Sequence, residues 1–394
     1  MATIASSELD PKFKEEIAQK VEGLEGKDLR YCMQCSTCTT VCPVREVDKK
    51  FDPKKIIRAI LLGKREYFTE NPKIPYSCNL CELCEKVCPQ GINVGQICLA
   101  IREQLVDAGQ GPLPPHKMIT DEEERMFDHS YTLALPDPNT PDTKRAFFPG
   151  CNLPGYSPSM ALAIYEHLQE QLPGTGLILR CCGAPYHGLG MHHDFNDKFD
   201  ELGSQMKQIG ATELIVPCPD CFRALKRANP DFELKSLWEV LVEIGIPEVP
   251  PNESQTFSLH DSCTSRWEPK IRDSAREVIK MTGNQLEELT YSGELTRCCG
   301  MGGLTAPVDL MRVFGLGQLR VSETQHDMLT FCAGCRENLS MHKPTLHILD
   351  LIFNPNWPED KNKRPNKPAV KTENQLQFRA LILDKMGKPL KKKA

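Results

Sequence analysis

The sequence lacks long apolar runs, a secretion signal and concentrated positive charge, and each absence excludes a class of protein. No stretch approaches the roughly 20 apolar residues that a membrane-spanning helix needs, and the N-terminal residues contain no apolar signal-peptide core. The 48 basic and 53 acidic residues give a formal net charge of −5, and no basic patch is interleaved with aromatic residues. We therefore expect a soluble, cytoplasmic protein that does not bind nucleic acid.

Cysteine is abundant, with 19 copies in a chain of 394 residues. A secreted disulfide scaffold is one interpretation, but such scaffolds are usually short and follow a signal peptide. This chain is large, has no signal and repeats the spacing C-x2-C. Metal ligation is therefore the favoured interpretation of its thiols.

Two copies of a C-x2-C-x2-C-x3-C-P run lie in the N-terminal region and end at Pro43 and Pro89. In two-cluster ferredoxins, three cysteines of such a run bind one [4Fe–4S] cubane and the fourth binds the other cubane. Zinc is the weaker alternative, because eight cysteines in two overlapping quartets suit two cubanes better than single zinc ions. The spacing assigns two ligand sets: Cys32, Cys35, Cys38 and Cys88 for one cubane, and Cys78, Cys81, Cys84 and Cys42 for the other.

Helical signals surround these runs. Asp10 and Asp52 are predicted N-caps, each followed by a proline at the first helical position. Another helix is expected from about Asn93 to Val106. It carries Cys98, which lies outside every cysteine motif and is predicted to be a small buried apolar residue.

Composition and proline-rich stretches divide the chain into five segments. The predicted segments are a helical ferredoxin domain at 1–110, a surface linker at 111–143, two related α/β domains at 144–255 and 256–354, and a C-terminal extension at 355–394. The extension is expected to contain a helix over 372–385, anchored by Leu376, Phe378 and Leu381, before a lysine-rich end.

A five-cysteine pattern occurs twice in the second half of the chain. Each copy has a single cysteine, then a Cys-Cys-Gly unit, then a C-x2-C pair, which indicates a repeated supersecondary unit. Short apolar runs followed by cysteines alternate with helical stretches, so we predict small parallel sheets with cysteines at the carboxyl ends of strands. An apolar helix is expected after each C-x2-C pair, at 237–244 and 346–352. The first copy is Cys151, Cys181, Cys182, Cys218 and Cys221; the second is Cys263, Cys298, Cys299, Cys332 and Cys335.

The Cys-Cys-Gly units suggest a large metal cluster. Adjacent cysteines poorly suit a small tetrahedral site, but they can reach different irons of a larger cluster. A disulfide switch between them would leave the other three thiols of each copy unexplained. The pattern indicates either a cluster with unusual ligation or a cubane with a spare thiol, and the glycine permits a positive φ at Gly183 and Gly300.

These motifs resemble those of the CCG-domain iron–sulfur family. The segments that carry the resemblance are FPGC at 148–151, CCGAP at 181–185, HDSC at 260–263 and CCGMGG at 298–303. Nearly the whole chain is similar to the fused ferredoxin/CCG catalytic subunit of heterodisulfide reductase. In that enzyme, each complete CCG motif holds a noncubane [4Fe–4S] cluster, and a disulfide is cleaved between the two clusters. The resemblance therefore implies two noncubane clusters here, each bound by the five cysteines of one copy.

The resemblance is incomplete at one position. Heterodisulfide-cleaving members tend to carry a histidine directly after the first cysteine of the second motif, whereas this chain has Thr264. Candidate catalytic proton donors are His187, His193 and His260, because imidazole titrates near neutral pH. A surface or hydrogen-bonding role is the alternative for each of these histidines.

The sequence thus predicts an α+β multidomain iron–sulfur oxidoreductase subunit. Electrons would pass through two cubanes to two CCG-bound noncubane clusters that reduce a disulfide or a similar two-electron acceptor. The chain has no glycine fingerprint for a dinucleotide and no flavin motif, so a partner must supply electrons. The expected partner is a flavoprotein subunit or a membrane cytochrome subunit in a hetero-oligomer, which would place the chain at the membrane periphery.

Two alternatives to this function remain. One is an electron-relay subunit of a larger anaerobic dehydrogenase or electron-bifurcating complex, with no substrate of its own. The other is a zinc-stabilised scaffold or redox sensor. Turnover of a disulfide would distinguish the oxidoreductase from the relay, and metal analysis would distinguish both from the zinc protein.

Overall fold

A computed structural model describes residues 9–23, 28–140, 142–249 and 254–387. The described chain divides into two compact units. The first contains residues up to Thr120 together with Pro185–His192 and Glu294–Arg320, and the second contains the other described residues. Two short segments from the second half of the sequence therefore belong to the same unit as the N-terminal region.

The N-terminal region is helical, as its sequence predicts. Asp10, Asp52 and Asn93 each accept hydrogen bonds from backbone N–H groups of the first helical turn that follows them, which satisfies donors with no partner inside the helix. The helices are α1 (Pro11–Gly23), α2 (Thr37–Val41), α3 (Pro43–Val47), α4 (Pro53–Leu61), α5 (Glu66–Thr69), α6 (Lys73–Tyr76), α7 (Leu83–Lys86) and α8 (Val94–Asp107).

The core of the first unit is formed by the apolar faces of its longer helices. Phe13 and Ile17 of α1 pack with Ile57 and Ile60 of α4 in one buried cluster. Cys98 of α8 belongs to the same cluster and has no exposed surface. The predicted burial of Cys98 is therefore confirmed.

Strands and helices alternate along the rest of the chain. The next elements are α9 (Lys117–Phe127), β1 (Leu133–Leu135), β2 (Arg145–Phe147), α10 (Asn152–Tyr156), α11 (Pro158–Gln171), β3 (Thr175–Leu179), α12 (Ala184–Leu189), α13 (His192–Ile209), β4 (Glu213–Val216), α14 (Pro219–Arg227), β5 (Glu233–Ser236) and α15 (Leu237–Ile244). They are followed by β6 (Thr256–His260), α16 (Pro269–Met281), β7 (Gln285–Glu287), α17 (Leu310–Val321), β8 (Asp327–Thr330), α18 (Ala333–Leu339), β9 (Thr345–His347), α19 (Asp350–Phe353), α20 (Trp357–Asp360) and α21 (Pro368–Lys385).

The second unit contains two small sheets. The first has the strand order β1-β3-β2-β4-β5, in which β1 is antiparallel to β3 and the other pairs are parallel. The second has the order β7-β6-β8-β9 and is parallel throughout. One buried apolar cluster contains residues of both sheets. The predicted mixed α/β content with small parallel sheets is confirmed.

The segment 111–143, expected to be a surface linker, contributes to the core and to the sheet. Helix α9 and strand β1 fall within it, and Leu133 of β1 pairs with Leu179 of β3. Met126 and Tyr131 have no exposed surface. The prolines of this segment end elements without preventing a helix and an edge strand between them.

Two local expectations near the C-terminus are wrong. Residues 345–347 form strand β9, because Leu346 pairs with Leu329 of β8 at the edge of the sheet, and only the residues after it are helical. Helix α21 is present, but Leu376 is 43% exposed, whereas Phe378 and Ile382 are fully buried and anchor the helix. The lysine-rich end lies outside the described residues.

No helix in the described part of the chain combines the length and the apolar content that a membrane crossing requires.

The Asp52 carboxylate is expected to stabilise the first unit by capping α4. Its Oδ1 accepts from the N–H groups of Lys54 (3.1 Å) and Lys55 (3.3 Å) and from the Thr39 hydroxyl (2.8 Å). The substitution Asp52→Ala should lower the free energy of unfolding by about 1 kcal/mol, measured by anaerobic denaturation. Asp52→Asn keeps an oxygen acceptor and should lose much less; equal losses in the two variants would contradict the capping role.

Candidate functional site

The structure brings the cysteines of each predicted ferredoxin quartet to a separate cavity. Cys32, Cys35, Cys38 and Cys88 line one cavity, and Cys42, Cys78, Cys81 and Cys84 line the other. The empty volumes, open mouths included, are about 400 Å³ and 350 Å³. In each cavity the fourth cysteine comes from the run that supplies the other cavity, which is the exchange that the spacing predicts.

The two ferredoxin loops have an unusual backbone that the sequence does not reveal. Gln34 and Ser36 have φ values of 57° and 72°, and Leu80 and Glu82, at equivalent positions of the second run, have 52° and 61°. Residues with side chains rarely adopt this left-handed conformation, and such exceptions concentrate at functional sites. Each loop therefore holds its cysteines in a conformation that its own sequence does not favour.

The thiols of the two quartets differ in their exposure to solvent. Cys35 is exposed, whereas Cys78 of the second quartet is buried. Burial raises the pKa of Cys38 to about 11 and raises the pKa values of Cys42 and Cys84 as well. Buried thiols of this kind lose their protons when a metal ion supplies compensating positive charge.

The first CCG set lies at the carboxyl ends of the strands in the five-stranded sheet. Cys151 follows β2 and directly precedes α10, and the pair Cys181-Cys182 follows β3. Cys218 follows β4 as the N-cap of α14, and Cys221 lies in the first turn of that helix. Parallel strands thus bring together cysteines that are far apart in sequence.

The five thiols of this set contact one another in succession. The Sγ atoms of Cys151 and Cys181 are 4.0 Å apart. Hydrogen bonds with the thiols of Cys181 and Cys221 lower the pKa of Cys182. The pKa of Cys218 is also lowered, by hydrogen bonds with the thiol of Cys221 and with that of Cys332 from the second copy.

These residues fit an iron–sulfur cluster. Five converging sulfur donors are typical of iron–sulfur ligation, and glycine keeps the adjacent backbone close to them. Gly150 has a φ of +67°, and a Cβ added there would lie 3.2 Å from Cys221 Sγ. Gly183 and Gly300 have φ values of 78° and 108°, so the positive φ predicted for both Cys-Cys-Gly glycines is confirmed.

The second CCG set is distributed differently from the first. Cys263 follows β6 and Cys332 follows β8, with Cys335 in the first turn of α18. Cys298 and Cys299 belong to the other compact unit and do not directly follow a strand, because β7 ends at Glu287. The expectation that every cysteine group ends a strand is therefore wrong for this pair.

Asn79 connects the second ferredoxin run to the second Cys-Cys-Gly unit within the first compact unit. Its Nδ2 donates to the Gly300 carbonyl (2.8 Å) and lies 3.5 Å from Cys298 Sγ. A Cβ on Gly303 would collide with the Cys78 carbonyl oxygen, and one on Gly302 would lie 2.5 Å from the Asn79 carbonyl oxygen. The segment that follows Cys298 is thus packed directly on the loop that carries Cys78.

The predicted catalytic histidines do not converge. His260 has no exposed surface, and one of its ring nitrogens lies within 4.8 Å of Cys335 Sγ. His193 is exposed on α13, and His187 is partly buried on α12 in the other unit. Thr264 shares a hydrogen bond of 2.9 Å with the Ser262 hydroxyl. Of the three histidines, His260 is placed beside a CCG thiol of its own unit.

Glu123 is a residue of this region that the sequence analysis missed. It lies on α9, is only 3% exposed, and its Oε1 is 3.3 Å from Cys181 Sγ. Burial raises its pKa to about 7. No sequence signal marked it, because an acidic residue in a polar segment ordinarily faces solvent.

Comparisons with known proteins agree with these two kinds of site. Residues 28–92 match the model of the 4Fe-4S dicluster domain, and residues 145–226 and 257–340 match that of the cysteine-rich CCG domain. Both copies of the five-cysteine pattern begin and end within the CCG matches. The chain therefore contains iron–sulfur domains of two types.

Several curated relatives share most of the chain's length. A subunit of dihydromethanophenazine:CoB–CoM heterodisulfide reductase from Methanosarcina barkeri is 28% identical, with 79% of this chain and 88% of the relative aligned. An uncharacterized iron–sulfur protein of Methanocaldococcus jannaschii is 24% identical, with 80% and 68% aligned. A subunit of fumarate reductase (CoM/CoB) from Methanothermobacter marburgensis is 25% identical, and the chain spans 60% of it.

A solved structure supports the fold. The crystal structure of a hypothetical protein from Helicobacter pylori superposes with a TM-score of 0.53 at 15% identity, covering 91% of this chain and 78% of that protein. Its low identity supports an argument about fold alone. Together with the two domain matches, the relatives and the positions of the cysteines, it shows that the chain belongs to the CCG-domain iron–sulfur family and resembles an iron–sulfur subunit of heterodisulfide reductase.

Proposed function

We propose that the chain is a heterodisulfide reductase-like subunit that passes electrons from its ferredoxin region to its CCG region and reduces a disulfide or a similar two-electron acceptor. The two quartets would hold [4Fe–4S] cubanes, and the two five-cysteine sets would hold noncubane [4Fe–4S] clusters. When bound, these clusters supply single-electron transfer and a metal site for the sulfur chemistry. The protein's contribution is to place the thiols and the groups between them.

The contact of Asn79 with the second Cys-Cys-Gly unit is the observation that carries this proposal. Cys78 is a predicted ligand of a cubane, and Cys298 is a predicted ligand of a noncubane cluster. The single residue Asn79, next to Cys78 in the chain, reaches both the Gly300 carbonyl and Cys298 Sγ. The two predicted sites are therefore joined by one side chain and one peptide segment, as an electron path requires.

Exposure gives the path a direction. Cys35 of the first quartet is exposed and accessible to a partner, whereas Cys78 of the second quartet is buried. We infer that electrons enter at the first quartet, pass to the second quartet and leave it through the Asn79 contact. A flavoprotein subunit is the proposed donor and a membrane cytochrome subunit the alternative donor. The names of several relatives, which are subunits of larger enzymes, agree with a hetero-oligomer.

The two CCG sets are suited to act on one acceptor because their thiols meet. The hydrogen bond between the thiols of Cys218 and Cys332 joins a cysteine of the first copy to one of the second. A disulfide has two sulfur atoms and takes up two electrons and two protons on reduction. Two neighbouring metal sites can receive one sulfur each, which is the chemistry that the resemblance to heterodisulfide reductase implies.

Thr264 favours a second candidate function, an electron relay without a substrate. A hydroxyl bonded to Ser262 cannot deliver protons as an imidazole does at neutral pH. A relay would not pass electrons from its donor to a disulfide. Reduced viologen supplied to the iron-loaded chain distinguishes the two functions: oxidation by disulfides supports the reductase, and no oxidation at full iron content supports the relay.

Cys182→Ser tests the ligand set of the first CCG domain. Four clusters of four irons require roughly 16 iron atoms per chain. The variant should lose about four of them, because Cys182 contacts the thiols of both Cys181 and Cys221. Iron and zinc quantitation with anaerobic electron paramagnetic resonance (EPR) spectroscopy measures the loss.

Cys98→Ala is the matched control for Cys182→Ser, since it removes a buried thiol outside every predicted ligand set. It should keep its iron content and its EPR signals. Full iron in Cys182→Ser, or zinc in place of iron in the unsubstituted protein, would contradict the proposed function.

Asn79→Ala tests the path between the two regions. The variant should be about 1–3 kcal/mol less stable, because it leaves the buried Gly300 carbonyl without its donor, and it should transfer electrons from the second quartet more slowly. Freeze-quench EPR after mixing with an oxidant measures the transfer. Asn71→Ala removes an exposed amide that also donates to a carbonyl, that of Tyr67, and should change neither property. Equal transfer rates in the two variants would exclude the Asn79 path.

A further inference from the structure

Arg102 of α8 is a buried cation without a carboxylate partner among the residues that the structure describes. It has no exposed surface. The titratable groups that act on its guanidinium are the thiols of Cys78 and Cys98 and the phenol of Tyr76. The guanidinium also lies over the Tyr76 ring, 4.9 Å from its centre. A positive charge in this position lacks the ion pair that usually accompanies a buried arginine.

Backbone carbonyls occupy all five N–H donors of Arg102. Nε and Nη2 donate to the Pro75 carbonyl, Nη2 also donates to that of Cys78, and Nη1 donates to those of Gly188 and Gly303. These oxygens satisfy the hydrogen-bonding capacity of the side chain. They are neutral, however, so they do not offset its charge.

The second quartet supplies the missing negative charge. Arg102 binds the carbonyl of Cys78, and the thiol of Cys78 is among the groups that act on its charge. Four thiolates carry more negative charge than an oxidised [4Fe–4S] core carries positive charge, so a cluster bound by this quartet is a net anion. A buried cation beside a buried anion removes the cost that each would have alone.

We propose that Arg102 is the buried counter-charge of the cluster held by the second quartet and that it raises the reduction potential of that cluster. The proposal rests on the proposed function in one respect, namely that the second quartet binds a cubane. Reduction adds one electron to the cluster and makes it more negative. A fixed positive charge in a buried site stabilises the reduced form more than the oxidised form.

The position of Arg102 connects this effect to the electron path. Its Nη1 holds the Gly303 carbonyl, and Gly303 follows the Cys298-Cys299 pair on the segment that Asn79 contacts. The same side chain therefore sets the charge beside the donating cluster and fixes the backbone of the receiving segment. Arg102 acts through these groups and is a positioning residue.

The test is an EPR-monitored redox titration of the full iron-loaded chain under anaerobic conditions. The signal that Cys81→Ser abolishes identifies the second-quartet cluster. Arg102→Gln should lower the midpoint potential of that signal, because it removes the charge and keeps polar contacts. Arg102→Lys keeps the charge, and its potential should stay close to that of the unsubstituted protein even if its thermal stability falls.

Arg58→Gln is the matched control, since it makes the same change of charge on an exposed part of α4 in the same unit. It should leave the potential unchanged. Equal lowering in Arg102→Gln and Arg102→Lys, or no change in Arg102→Gln, would overturn the proposal. If Arg102→Gln does not retain iron, Arg102→Lys decides: an unchanged potential supports the counter-charge and a lowered potential contradicts it.

The same titration separates the failure of this inference from the failure of the proposed function. An unsubstituted protein without a second-quartet iron signal would refute the iron–sulfur path itself. An unsubstituted protein with that signal, whose potential does not depend on residue 102, would refute the role of Arg102 alone.

Discussion

A thiolate in a protein interior needs positive charge close by, because burial removes the water that would otherwise stabilise it. Most cysteines of this chain are buried or half-buried, and burial raises the pKa values of Cys38, Cys42 and Cys84. Iron ions supply that charge and displace the thiol protons. The loops around the cysteines, with their left-handed residues, are therefore best understood as parts of metal sites whose conformation the bound iron would stabilise.

The loop of Cys78 is the junction of the first compact unit. Asn79 donates from this loop to Gly300, and Arg102 binds the carbonyls of Cys78 and Gly303. A repeat that looks symmetrical in sequence is thus unequal in structure. The second Cys-Cys-Gly unit packs against the ferredoxin loop, whereas the first lies at the end of β3 in the other unit. This inequality makes the second copy the natural receiver of electrons.

Spacing and periodicity predicted much of this structure. Cysteine spacing predicted which thiols share each ferredoxin cavity, and apolar runs predicted the strands that precede Cys151 and Cys218. Long-range contacts were beyond such patterns. The pairing of Leu346 with Leu329 made a strand from a segment that resembled a helix, and tertiary packing buried Glu123 and Arg102, whose residue types ordinarily favour solvent.

The most direct test of the account follows the electrons during a single turnover. Fully loaded protein, reduced at all its clusters, would be mixed anaerobically with a small alkyl disulfide and frozen at successive times for EPR, with thiol product measured in parallel. The account predicts that the ferredoxin-type signals disappear while a CCG-type signal changes and two thiols form per two electrons. Ferredoxin-type signals that stay reduced, with no thiol formed by protein of full iron content, would contradict it.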